Sequence, residues 1–169
     1  GNAMQTAGDS IYGARHVALK SGCRIETPAV TVNRLCGSGV ESVAMAARFL
    51  QTGEAGWVLA GGMENMSQAP HLIRGLRGQA VRFGANMKIE DSLFSNLLDP
   101  YCDFFMAQTS DNVAKKYGIS REAQDEYALR SHQEGVRAVK AGLFQEEIVP
   151  VPVKKRKETV DVTADDHIK

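Results

Sequence analysis

The chain has 169 residues, 43% of them hydrophobic, and its 20 basic and 20 acidic side chains leave a formal net charge of zero. These values are those of an ordinary globular protein, and they exclude the basic charge that nucleic-acid binding demands. No stretch is apolar enough to cross a bilayer, so we expect neither nucleic-acid nor membrane partners.

The first predicted elements are a helix over residues 9–21 and a strand over residues 29–32. Asp9 occupies an N-cap position, apolar residues recur on one side of the helix, and Gly22 ends it. The run Ala-Val-Thr-Val at 29–32 is rich in β-branched residues, which indicates a strand.

A second helix and a second strand follow. The helix ends at Gly53 and is predicted from apolar residues with the spacing of one helix face: Val40, Val43, Ala44, Ala47 and Leu50. Residues 57–60 predict a buried strand that leads into Gly61 and Gly62, where we expect close backbone approach near the start of the helix. Strand, helix and strand joined by short links indicate a right-handed βαβ unit and a parallel sheet.

The chemistry of the chain centres on residues 33–39, Asn-Arg-Leu-Cys-Gly-Ser-Gly, which place Cys36 where the first strand meets the second helix. A helix N-terminus stabilises a thiolate, and the two glycines let backbone donors approach whatever bonds to the sulfur. A lone cysteine is more commonly a small buried hydrophobe, which is the competing interpretation. The strand-to-helix elbow favours the nucleophile, because open α/β sheets place ligands at the carboxyl ends of their strands.

The remaining cysteines, Cys23 and Cys102, show no close pairing and no Cys-x-x-Cys spacing. We therefore expect neither a disulfide framework nor a metal site, and a reducing compartment with the cytoplasm as the default.

Beyond about Gln68 the periodicity fades, which predicts an excursion away from the sheet. Two helices are then expected, the first capped by Ser110 and ending at Tyr117, the second capped by Ser120 and ending at residues 141–142.

The last predicted element is a β-ribbon over residues 148–162. Its basic run at 154–157 fits a solvated hairpin tip better than a localisation or phosphate-binding signal.

Several motifs that follow one another along the chain resemble those of the thiolases, the family of acetyl-CoA acetyltransferase and 3-ketoacyl-CoA thiolase. The matching segments are 33–39, 60–67 (Ala-Gly-Gly-Met-Glu-Asn-Met-Ser), 69–71, 105–106, 111–114, 117–122 and 146–150. The resemblance implies an α/β, thiolase-like fold with a partial βαβ sheet layer plus an inserted loop domain. Residues 1–67 would then form part of the N-terminal domain, and residues 68–169 the loop domain that carries the coenzyme A contacts.

The resemblance also implies acyl transfer through a thioester on Cys36, either in thiolysis of a 3-ketoacyl-CoA or in condensation of acetyl-CoA. Coenzyme A is a substrate here, and no cofactor or metal is implied. The family's C-terminal partners, an Asn-Glu-Ala-Phe motif, a Gly-His-Pro histidine and a Cys-x-Gly cysteine, do not occur in the chain. We therefore expect the chain alone to be inactive, to need the remainder of a thiolase subunit, and to belong to a homo-dimer or tetramer.

Four further positions match family residues that contact coenzyme A or line the acyl pocket: Leu97, Phe105, Met106 and Lys169. Leu97 and Met106 fit plain core positions equally well, and Lys169 ends the given sequence. Phe105 stands where acetoacetyl-specific biosynthetic enzymes carry histidine, which favours a 3-ketoacyl-CoA thiolase that accepts longer acyl groups. In a eukaryote the resemblance points to the mitochondrial matrix or the peroxisome.

Two rival interpretations belong to other classes. A non-catalytic thiolase-like module would bind acyl-CoA or a thiolase subunit without chemistry, but such a module has no need of a thiol at the elbow. A ketoacyl-carrier-protein synthase relative would share the elbow, but it would lack the pattern at residues 112–122.

Overall fold

A computed structural model describes residues 1–77, 84, 86–156 and 158–168. The chain forms two compact units, Gly1–Phe105 and Met106–Lys169. The predicted boundary after residue 67 concerns the layout of a whole thiolase subunit, and it stays a prediction.

The helices of the first unit follow the predicted pattern. A 3-10 turn, Ser10–Tyr12, leads into α1, Gly13–Lys20, and α2 spans Ser38–Gln51. Asp9 holds the predicted N-cap position but makes no capping hydrogen bond, and its carboxylate instead lies 3.5 Å from Nδ1 of His16.

The two predicted strands at 29–32 and 57–60 are not strands in this chain, because neither segment joins a ladder with another described strand. The start of the chain bonds to the first segment and to the residues that follow the second: the N–H of Asn2 donates to the carbonyl of Val32 at 2.9 Å, and the N–H of Met63 donates to the carbonyl of Gly1 at 3.0 Å. A strand needs a neighbour to pair its backbone groups. The described residues therefore follow the order of a βαβ unit, with one segment on either side of α2, but these segments form no sheet.

The rest of the first unit is built from short elements. A second 3-10 turn spans Met66–Gln68. The other elements are β1 (His71–Ile73), β2 (Ile89–Asp91), α3 (Ser92–Ser95), β3 (Leu98–Asp99) and β4 (Phe104–Phe105). β1 pairs antiparallel with β2, and β3 pairs antiparallel with β4 so that Leu98 faces Phe105.

The second unit contains α4 (Met106–Tyr117), α5 (Arg121–Lys140), β5 (Val151–Lys155) and β6 (Glu158–Val162). The predicted cap at Ser120 is confirmed, because its Oγ accepts from the N–H of Ala123 at 3.2 Å. The predicted cap at Ser110 is wrong: α4 already begins at Met106, directly after β4.

The predicted β-ribbon is confirmed as an antiparallel pair of β5 and β6 in which Val151 faces Val162 and Lys155 faces Glu158. Of the basic run at its tip, Lys157 lies outside the described residues.

Apolar burial within this chain is slight. Among the described residues, Ala46 is the one apolar side chain that is buried, whereas Trp57 is 97% exposed. The chain exposes 14,699 Å², and a compact monomer of its 18.3 kDa would expose about 8,100 Å². The described helices and loops therefore present apolar surface that normally packs on further chain. None of the described helices is both long and apolar enough to cross a membrane.

Candidate functional site

Cys36 lies on the turn that leads into α2, and its side chain is exposed. Gly37 is the N-cap of that helix and makes no side-chain capping bond. The first backbone N–H groups of a helix have no intrahelical partners and carry the positive end of the helix dipole. A thiol at this position is accessible to a reactant that arrives from solvent.

Side chains on either side of Cys36 hold the turn in shape. Leu35 has φ +49°, a left-handed conformation that costs energy for a residue with a side chain. Its N–H donates to Oδ1 of Asn33 at 3.0 Å. Buried Ser38 braces the turn from the other side: its Oγ accepts from the N–H of Arg34 at 2.9 Å and donates to the carbonyl of Leu35 at 2.6 Å.

An ion-pair network ties the same motif to α2. Arg34 lies 2.6 Å from one carboxylate oxygen of Glu41, and Arg48 lies 2.9 Å from the other. The hydrogen bond from Arg48, followed by that from Arg34, lowers the pKa of Glu41 below its ordinary value. Glu41 therefore stays ionised at neutral pH and links the turn at Arg34 to the first and last turns of the helix.

The second motif, at residues 60–67, reaches the same turn through the start of the chain. Oε2 of Glu64 accepts from the N–H of Ala3 at 2.8 Å, and Oε1 accepts from the N–H of Met4 at 3.0 Å and from Nδ2 of Asn2 at 3.1 Å. Nδ2 of Asn33 in turn donates to the carbonyl of Ala3 at 3.0 Å. Sequence reasoning quoted this motif but gave Glu64 no role, since its partners are about sixty positions away.

Gly61 and Gly62 lie beside the start of α2, as predicted. Oγ of Ser42 donates to the carbonyl of Gly61 at 3.0 Å. A Cβ placed on Gly62 would lie 3.7 Å from the Cα of Gly39, which is an ordinary contact distance, so the approach does not demand glycine there.

The predicted substrate-contacting residues are distributed over both units. Leu97 and Phe105 lie in the first unit, where the ring of Phe105 packs against that of Phe94 with centroids 5.0 Å apart. Leu97 and Met106 are about half exposed, so within this chain neither is a core residue. Met106 begins the second unit, and Lys169 lies outside the described residues.

Phe94 is a neighbour of this segment that sequence reasoning missed, since no motif singles it out. As for metals, the described His, Cys, Asp and Glu side chains form no group of three or more that could hold an ion.

The described residues of this α/β chain thus place an exposed cysteine on a braced turn directly ahead of α2. The family model of the thiolase N-terminal domain matches residues 1–169. The chain belongs to the thiolase family.

Comparison with known thiolases supports the same fold. The chain is 44% identical over 167 residues to the human mitochondrial 3-ketoacyl-CoA thiolase, a match that covers 99% of this chain and 42% of that protein. The crystal structure of the human mitochondrial enzyme superposes with a TM-score of 0.90 at 44% identity, covering 98% of this chain and 42% of that one.

The crystal structure of the human enzyme in complex with CoA gives a TM-score of 0.85 at 45% identity, covering 95% of this chain and 40% of that one. The chain therefore has the thiolase fold and spans less than half the length of these relatives.

Proposed function

We propose that this chain is the nucleophile-bearing portion of a thiolase, an acyl-CoA acyltransferase in which Cys36 carries the acyl group. The observation that carries the proposal is the exposed thiol on the turn braced by Asn33 and Ser38, directly ahead of α2. In thiolysis, the Cys36 thiolate attacks the 3-keto carbon, and the bond between C2 and C3 breaks. The acyl group stays on sulfur as a thioester, and the departing acetyl-CoA carbanion takes up a proton.

The second half-reaction returns the enzyme to its starting state. The thiolate of free coenzyme A attacks the Cys36 thioester, and the Cys36 thiolate leaves. Each half-reaction needs a base for its attacking thiol and donors for its oxyanion, and the first also needs an acid for the carbanion. Of these groups, we assign one oxyanion donor, the backbone N–H of Cys36, to this chain and the others to the remainder of the subunit. We expect the chain alone to show no turnover.

The exposed apolar surface supports this dependence on further chain, because its burial is the main driving force for association. A complete assembly would be a homo-dimer or tetramer. Residues 1–67 would contribute to its N-terminal domain and residues 68–169 to its loop domain. Its compartment would be the cytoplasm, or the mitochondrial matrix or peroxisome in a eukaryote.

We assign acyl-CoA contacts to Leu97, Phe105 and Met106, and to Lys169 outside the described residues. The apolar pair of Phe105 and Phe94 supports a pocket for acyl groups longer than acetyl.

The test is a denaturing mass spectrum after exposure to acetoacetyl-CoA, with the chain alone and mixed with the remaining parts of a thiolase subunit. In the mixture we expect an acetyl adduct that peptide mapping places on Cys36. Cys36→Ala should abolish this adduct, and the control Cys23→Ala should leave it in place. Binding of coenzyme A to the mixture without any adduct would favour the rival, a non-catalytic thiolase-like module.

A further inference from the structure

We propose that Glu64 is a positioning residue for Cys36, acting through residues 2–4 and Asn33. The inference rests on the proposed function, since it concerns the geometry of the same nucleophile. Glu64 itself touches neither the thiol nor any reacting atom.

The carboxylate of Glu64 organises the start of the chain. It accepts three hydrogen bonds, two from backbone N–H groups and one from buried Asn2, at 2.8 to 3.1 Å. Asn2 also donates to the carbonyl of Met63 at 3.0 Å. Hydrogen bonds to an ionised acceptor are shorter and stronger than neutral ones, and three of them on one carboxylate fix both its oxygens. Residues 2–4 are therefore held against the motif at 60–67.

The side chain of Asn33 connects residues 2–4 to the turn that contains Cys36. Asn33 donates through Nδ2 to the carbonyl of Ala3 and accepts through Oδ1 from the N–H of Leu35, the residue before Cys36. Leu35 occupies the left-handed region, which persists only where surrounding bonds impose it. If Ala3 moved, Asn33 would lose its anchor and Leu35 would be freer to relax, which would carry Cys36 away from the start of α2.

The direction of the effect separates positioning from simple electrostatics. If Glu64 acted on Cys36 only through its negative charge, neutralising it would favour the thiolate and speed the reaction of the thiol. If Glu64 positions the turn, neutralising it slows that reaction, because the thiol loses its place at the helix N-terminus.

The experiment measures alkylation of the chain by iodoacetamide across pH 6 to 9, with peptide mapping of each cysteine. Cys23 and Cys102 are exposed free thiols and serve as internal references. For Glu64→Gln we expect Cys36 to react about tenfold more slowly at pH 7 while Cys23 and Cys102 keep their rates, because a neutral amide weakens the bonds to residues 2–4. Glu126→Gln, an exposed change in α5, should behave as the unaltered chain.

A second variant tests the route. Asn33→Asp keeps the acceptor for the N–H of Leu35, removes the donor to Ala3 and adds a negative charge. An effect of that charge by itself would add to the loss in Glu64→Gln, whereas loss of the shared connection would not. We expect a similar loss at Cys36, and little added loss when both changes are combined, because both break one connection. Additive losses, faster alkylation in Glu64→Gln, or an unchanged Cys36 rate in Asn33→Asp would each overturn the proposal. A parallel slowing of all three cysteines in Glu64→Gln would do the same.

Alkylation needs neither coenzyme A nor the rest of a subunit, so this outcome is separate from that of the proposed function. Absence of an acetyl adduct in the unaltered chain mixed with the remaining subunit would count against the thiolase chemistry. An adduct that forms equally well with Glu64→Gln would count against the positioning role of Glu64 and not against the thiolase chemistry.

Discussion

Ser38 shows at the scale of one residue how the turn is held. Its buried hydroxyl uses both its donor and its acceptor on the two residues that precede Cys36. Replacing it with alanine leaves the N–H of Arg34 and the carbonyl of Leu35 without this partner. Each lost bond of this kind costs about 1 kcal/mol.

For Ser38→Ala we therefore expect faster hydrogen exchange at the amide of Arg34, by about fivefold for a loss of 1 kcal/mol. Site-resolved amide exchange is the measurement. The control is Ser10→Ala, which removes a hydroxyl bonded only to the carbonyl of Ala7 on an exposed turn. Unchanged exchange at Arg34 would mean that the backbone alone holds the turn.

At the scale of one element, α2 depends on Glu41 and its two arginines. The pKa of Glu41 is lowered in the folded chain, chiefly by Arg48 and next by Arg34. A carboxylate whose folded pKa lies below its unfolded value stabilises the fold above the unfolded pKa. That stabilisation is lost as the pH falls through the folded pKa.

For Glu41→Gln we expect a lower melting temperature at pH 7, with the difference from the unaltered chain shrinking as the pH falls through the lowered folded pKa of Glu41. Melting followed by circular dichroism across pH, at low salt, checks this. Glu54→Gln is the matched control, because the carboxylate of Glu54 accepts from the hydroxyl of Thr52 and forms no ion pair with a described residue. A Glu41→Gln deficit that is the same at every pH would show that packing of the side chain matters and its charge does not.

The helices were predictable from sequence because their signals are local. The apolar face of α2, the cap at Ser120 and the ribbon of β5 and β6 depend on residues within a few positions of one another. The predicted cap at Ser110 is wrong because the helix begins upstream at Met106, directly after β4 ends at Phe105. The strands at 29–32 and 57–60 failed because a ladder depends on neighbours that the sequence pattern does not supply.

The candidate site also combines features that the sequence predicts with features that it does not. Seven consecutive residues were enough to predict that Cys36 lies at the start of a helix, and its role as a nucleophile stays a proposal. The link from Glu64 to Asn33 could not be predicted, since it passes through residues 2–4 and appears only when three distant segments are brought together. The ion pair of Glu41 with Arg48 joins residues seven positions apart on one helix, a spacing that a sequence can show. The ion pair with Arg34 could not be predicted in this way, because Arg34 lies outside the helix.

At the scale of the whole molecule, the chain exposes many large apolar side chains. Trp57 is its single tryptophan and is 97% exposed, in a segment whose composition is that of a buried strand. Leu59, two positions along, is 91% exposed. A strand that is apolar on both faces is typical of a sheet covered on both sides. The segment at 57–60 therefore has the composition of an interior strand, and in the proposed thiolase subunit further chain would supply its neighbours.

The fluorescence of Trp57 can report whether further chain covers the segment at 57–60. On mixing with the remaining parts of a thiolase subunit, in which tryptophans are replaced by phenylalanine, we expect its fluorescence to shift to shorter wavelength. We also expect quenching by acrylamide to fall several-fold, because an indole leaves water when it packs into a core. The control is the chain alone over a range of concentrations, which detects covering by a second copy of itself. Protection that depends only on the concentration of this chain would assign the surface to self-association. An unprotected Trp57 in a mixture that does acetylate Cys36 would show that 57–60 stays outside the restored sheet.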